Sequence, residues 1–229
     1  MPCYSGVSSN RVVWVPNQPI NLPPQLAPLR EGQISEAAYV LGRAFQQDGM
    51  FTYVFPNEMA RARHVPVIMK SGIRYGFTYG QATVTQGVIH GVAVTAVRGR
   101  QGATTAKPGW TYKLRQLMTR LKYGRESWRR YQLASAAIRE LHVRNISGPH
   151  WYLLLLGVSP QKQGTGLGGV LLKELLDRAD RDNLAVYLDT FKRDNLSFYQ
   201  KYGFEVKQQL SIDGGKAMAW AMVRLSKRT

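Results

Sequence analysis

Between Val158 and Val170 the chain reads Val-Ser-Pro-Gln-Lys-Gln-Gly-Thr-Gly-Leu-Gly-Gly-Val, with Gly164, Gly166, Gly168 and Gly169 crowded between an apolar run and a helical pattern. A helix start points unpaired N–H groups at one spot, and its dipole favours negative charge there. Glycines let a phosphate approach the backbone with no Cβ in the way. The chemistry this spacing supports is the grip on a pyrophosphate. Two kinds of carrier present one. Gly164, Gly166 and Gly169 satisfy the dinucleotide pattern GxGxxG, and Asp189 follows 20 residues after Gly169 at the end of a strand, where the ribose of NAD would be held. Against that carrier, Ser159 to Gln163 separate the strand from the glycines, and 60 residues after Gly169 are too few to complete a doubly wound nucleotide domain.

The other reading takes Gln163-x-x-Gly166-x-Gly168, preceded by Val158-x-Pro160, together with a second block, Asn195-Leu-Ser-Phe-Tyr-Gln-Lys-Tyr-Gly-Phe204. On these two blocks the chain resembles the GNAT superfamily of acyl-coenzyme A-dependent N-acetyltransferases. The run Trp151 to Gly168, with Leu188-Asp189-Thr190, Phe198-Tyr199, Gly203-Phe204 and Trp220-x-Met222, is similar to puromycin N-acetyltransferase-like proteins. That likeness covers about Pro149 to Met222. It implies the donor and leaves the acceptor open, because in the family the first half largely builds the acceptor pocket.

The resemblance implies acetyl-coenzyme A as acyl donor, a primary amine of a small molecule or protein as acceptor, and direct attack in a ternary complex. It assigns the donor to Leu156, Gly157 and Val158 at the strand end, to the turn residues Gln163, Gly164, Thr165, Gly166, Leu167, Gly168 and Gly169, and to Asn195. Backbone N–H groups around Leu156 to Val158 would hold the thioester oxygen, and Gly157 fits a bulge that frees such a donor. Tyr199 matches the tyrosine that protonates the departing thiolate, a role suited to a phenol that stays protonated at neutral pH. For the base that deprotonates the amine, the acids ahead of the cofactor strand are Glu31, Glu36, Asp48, Glu58, Glu126 and Glu140. Of these and the histidines, Glu140 and His142, just before the strand, are the favoured candidates.

These residues require a frame. Trp151 to Val158 reads as a strand, Val170 to Asp180 as a helix, Leu184 to Asp189 as a second strand, Asn195 to Tyr202 as a short helix, and two strands follow. A right-handed strand–helix–strand crossover makes the first two strands parallel. The class is therefore mixed α/β, and the resemblance implies a mostly antiparallel central sheet with one parallel pair splayed at the cofactor site. Upstream, the pattern predicts a short strand at Leu26 to Arg30, a helix from Ile34 through Phe45 whose end Gly49 marks soon after, and a helix over Asn57 to Tyr75 interrupted near Pro66. Two antiparallel strands follow around Gly87. Leu114, Leu117, Met118 and Leu121 line one helical face, and Tyr131, Ala134, Ile138 and Leu141 another.

The proline-rich residues 1 to 25 predict an extended arm before a single domain spanning 26 to 229. One cysteine, Cys3, excludes an internal disulfide and a cysteine-rich zinc site, and a reducing, cytoplasmic setting is expected with no metal and no membrane span. The net charge of +17 is concentrated: between Glu58 and Glu126 there are 12 basic residues and no acidic one. That stretch, 59 to 125, supports a rival class, a non-catalytic acyl-coenzyme A sensor or a nucleic-acid- or ribosome-associated protein. The oligomeric state is left open.

Overall fold

The computed structural model describes residues 25–99 and 121–227. The predicted arm, apart from its last residue, and the stripe positions Leu114, Leu117 and Met118 lie outside them. Leu121 lies inside and is exposed. Seven strands form one sheet: β1 (Leu26–Pro28), β2 (Gln81–Thr85), β3 (Gly91–Arg98), β4 (His150–Val158), β5 (Ala185–Thr190), β6 (Glu205–Ile212) and β7 (Ala217–Arg224). Their order is β1-β2-β3-β4-β5-β7-β6, and only β4 and β5 run parallel. The mixed α/β class and the single parallel pair are as expected.

Helices cover both faces. On one lie α1 (Ile34–Ala44), α2 (Gly49–Val54), α3 (Glu58–Tyr79) and α4 (Arg125–Asn145); on the other lie α5 (Leu167–Arg181) and α6 (Asp194–Gln200). Covering on both sides explains why β4 is apolar almost throughout instead of alternating. No described helix is long and apolar enough to cross a membrane.

Three expected helix boundaries differ in the structure. α1 ends at Ala44, and Gly49 opens α2 instead of closing the helix before it. Gly49 is required there because a Cβ would sit 2.1 Å from the Phe191 carbonyl oxygen. The helix through Pro66 is unbroken from Glu58 to Tyr79. An interior proline costs about 3 kcal/mol, but Val65, Met69 and Ile73 on the same helix are fully buried. The ring also fits against Gly42 of α1, where a Cβ would lie 2.5 Å from Pro66 Cγ. Finally, α5 begins at Leu167, three residues before the expected Val170, so the last glycines belong to its first turn.

Candidate active site

β4 and β5 share three register pairs, His150 with Ala185, Trp151 with Val186 and Tyr152 with Tyr187, and then part. From Leu153 onward one edge of β4 has no partner on β5, while its other edge stays bonded to β3 as far as Val158. Ser159 N–H bonds the His90 carbonyl on the β3 side at 2.7 Å. Strand alternation then sends the N–H groups of Val158 and Leu156 to the open edge. The Gln163 side-chain amide caps the Val158 carbonyl on that edge at 3.1 Å.

The expected bulge exists but lies at Leu154, between the pairs Val94–Leu155 and Thr95–Leu153, and not at Gly157. Gly157 pairs regularly with Val92, and its missing side chain makes room for α1: a Cβ would lie 2.6 Å from Leu41 and 3.1 Å from Phe45. The extra residue shifts the strand's parity, so Leu154 and Leu155 both face the α1, α3 and α4 side and Leu156 faces α5. All three line a cavity of about 590 Å³ opened by the splay. Phe45, Phe51, Tyr123, Trp128, Tyr131 and Phe191 contribute its rings.

The glycine turn sits where β4 hands over to α5. Gly164 and Gly166 adopt φ of +78° and +88°, a region other residues rarely enter, and a Cβ on either would meet open space. Conformation, not crowding, requires glycine at both. The Thr165 hydroxyl donates to the Lys162 carbonyl at 2.7 Å, tightening the loop. Gly166 is the N-cap of α5, so Leu167 and Gly168 offer first-turn N–H groups that a helix leaves without internal partners. Gly169 has a packing reason instead, since a Cβ there would meet the Tyr202 hydroxyl at 2.1 Å. Cradle and open edge are the two features that a pyrophosphate-bearing donor with an extended amide arm requires.

Residues 125–204 match the Acetyltransferase (GNAT) family model. A 76-residue stretch is 30% identical to an uncharacterised N-acetyltransferase of Schizosaccharomyces pombe, covering 32% of this chain and 31% of that protein. The match thus spans about a third of the curated relative's length. Among solved structures, the histone acetyltransferase HPA2 and related acetyltransferase from Corynebacterium glutamicum superposes with a TM-score of 0.58 at 20% identity, over 90% of this chain and 98% of that one. A mosquito arylalkylamine N-acetyltransferase like 5b gives 0.62 at 16% identity, over 87% and 98%. The chain has the GNAT fold.

Within this GNAT fold the predicted site residues divide. Tyr199 and Asn195 line the cavity from α6. Asn195 donates to the Thr190 hydroxyl at 3.1 Å, tying α6 to the end of β5. Tyr199 is 8% exposed, and no hydrogen bond to its hydroxyl forms among the described residues. Burial, then Asp48 and Asp189, raise its pKa, so the phenol holds its proton through the neutral range.

The two base candidates are not on the cavity wall. Glu140 lies on the outer side of α4, paired with Arg144 at 3.0 Å. His142 packs behind the wall, against the rings of Tyr152 and Tyr187. Its Nε2 lies 2.8 Å from Nε2 of His150, whose Nδ1 is 2.8 Å from the Gly148 carbonyl. Since a carbonyl only accepts, neutral His150 carries its proton on Nδ1, and His142 Nε2–H donates to it. Burial first, then His150 and Arg98, lower His142 to about 4. It is a structural, neutral imidazole.

The acids on the wall are Asp48 and Asp189. Asp189, at the end of β5, accepts a short hydrogen bond from the Tyr152 hydroxyl. Burial raises it to about 6 against that bond, and Asp48 adds to the rise. Asp48 caps α2 by accepting from Met50 N–H at 2.9 Å, yet burial raises it also to about 6, opposed by the Met50 and Phe51 N–H groups and by Lys192. Both keep some accessible surface because the cavity itself is open to them. Sequence reasoning placed Asp48 among the open acids and Asp189 only as a ribose ligand. The signal that finds Asp189 is its place at the carboxyl end of a parallel strand, where a splayed sheet presents its groups to a ligand.

Proposed function

We propose that this protein is an acyl-coenzyme A-dependent N-acetyltransferase that moves an acetyl group from acetyl-coenzyme A to a primary amine by direct attack in a ternary complex. The observation that carries the reading is the splay of β4 from β5, which leaves an open strand edge between the glycine turn at α5 and the cavity lined by Tyr199. The first-turn N–H groups at Leu167 and Gly168 receive the pyrophosphate. The open edge of β4 pairs with the amide arm, and the Leu156 or Val158 N–H holds the thioester oxygen as negative charge develops on it. As the C–N bond forms and the C–S bond breaks, Tyr199 gives its proton to the departing sulfur. Names of proteins with this fold, arylalkylamine N-acetyltransferase among them, support an amine acceptor in general.

The test is a titration with acetyl-coenzyme A, with NADH as control, followed by thiol release over a panel of amines that includes puromycin, for which the second-half likeness argues. Thiol release in step with amine acetylation supports the transferase. Binding without release from any amine returns the acyl-coenzyme A sensor, and no binding removes the donor.

A further inference from the structure

Every Asp and Glu of the chain lies among the described residues, because residues 1–24, 100–120 and 228–229 contain none. The inventory of negative charge around the cavity is therefore complete. Of the 14 acids, only Asp48 and Asp189 line it, and they come from neighbouring elements, the start of α2 and the end of β5. They lie close enough to raise one another's neighbours: each pushes up Tyr199, and Asp48 pushes up Asp189. Tyr199 lines the same cavity, feels both carboxylates, and has no hydrogen bond to its hydroxyl among the described residues. The wall beyond is ring-rich, and among the described residues its one cationic side chain is Arg139, with no acid on the wall beside it.

Resting on the transferase reading above, we propose that Asp48 and Asp189 form the acceptor's ammonium subsite and take its proton, selecting an amine that carries a single positive charge on an apolar, ring-bearing body. An ammonium enters as RNH3+ and pairs with the two carboxylates; one of them takes a proton, leaving RNH2 to attack the thioester carbon. After the C–S bond breaks, the nitrogen sheds a second proton to the pair. One of the two protons replaces the one Tyr199 gave to sulfur, and the other leaves to solvent. A second cation on the acceptor would find no counter-charge in the cavity and would meet Arg139 or bare rings, so polyamines and aminoglycosides fit poorly. Rings of Phe51, Tyr123 and Trp128 instead offer apolar contact to an aromatic body.

The groups facing the pair are Tyr152 from β4, Tyr187 from β5, Tyr199 from α6, and Lys192 before it. The tyrosines, all raised by burial, stay protonated in the working range, so the carboxylates are the groups that titrate near neutrality. The experiment compares the full chain with Asp189→Asn and Asp48→Asn. The second variant keeps an acceptor oxygen for the Met50 N–H, so the cap survives. Acetyl-coenzyme A affinity is measured by calorimetric titration, and kcat and KM are measured for 2-phenylethylamine, spermidine and puromycin from pH 5 to 9. Expected are unchanged donor affinity in both variants, a fall of at least a hundredfold in kcat/KM for 2-phenylethylamine, and loss of the acid limb that wild type shows near pH 6. Wild type is expected to prefer 2-phenylethylamine to spermidine by tenfold or more. Donor binding with spermidine the better acceptor, or with both variants within threefold of wild type, overturns the proposal and leaves the transferase standing. Absence of donor binding in wild type overturns both.

Discussion

Replacing Tyr199 by Phe removes one oxygen from a site whose surroundings allow the loss to be assigned. The ring is 8% exposed and packs against Phe198 and Phe204 at centroid distances of 5.1 and 5.7 Å, contacts that Phe preserves. The hydroxyl has no partner among the described residues, so its removal orphans no buried donor or acceptor. Stability should change by less than about 1 kcal/mol, which for a chain of this size moves Tm by less than about 4 °C. Catalysis should change far more. General acid–base catalysis contributes roughly 10²–10⁴-fold, equivalent to about 3 to 5 kcal/mol of barrier. The phenol's raised pKa keeps it protonated, so the wild-type rate should show no basic limb from Tyr199 below pH 9. The assay is single-turnover acetylation with saturating acetyl-coenzyme A and a good amine, which excludes slow product release, alongside thermal unfolding. A single-turnover rate within threefold of wild type in a variant of unchanged Tm and donor affinity would refute the role of Tyr199 as the acid.

Asp189→Asn should be more stable than wild type at pH 7 and equal to it near pH 4. An acid whose folded pKa is raised from 3.8 to about 6 binds more protons folded than unfolded between those values, so its contribution to stability falls as pH rises through that window and is then constant. His142, lowered to about 4, works in the opposite direction over a similar range. The difference between variant and wild type by urea unfolding at each pH therefore isolates Asp189; a difference that does not grow from pH 4 to 7 would count against a buried, charged carboxylate. Gly166→Ala imposes a side chain at φ +88°, at about 1–2 kcal/mol, and displaces the first-turn donors. Calorimetry should show donor affinity weakened by roughly tenfold, and an unchanged Kd would remove the turn from the donor site. Glu140→Ala removes only a surface pair with Arg144, so kcat/KM should stay within twofold and stability within about 0.5 kcal/mol; a large loss of turnover would restore it as a catalytic candidate.

Features encoded locally were legible in the chain itself. The glycines of the turn announce themselves because positive φ and free N–H groups are properties of a few consecutive residues, and the β4–α5–β5 order carries the parallel pair through crossover handedness. Tyr199 and Asn195, which line the cavity, drew attention in the sequence because they stand in one short block. The acid pair was not legible, since Asp48 and Asp189 lie 141 positions apart and meet only when α2 packs beside the end of β5. Nor was the position of Glu140 and His142 off the cavity wall, which depends on how α4 is rotated against the sheet. Likewise Pro66 predicts a break by its local chemistry, and only the Gly42 notch on α1 shows why the helix runs through it. The glycine turn could be read from the chain because its geometry is set by backbone conformation within one loop. Which acids line the cavity emerges only from the packed fold, because burial and the meeting of like charges exist only after distant segments have come together.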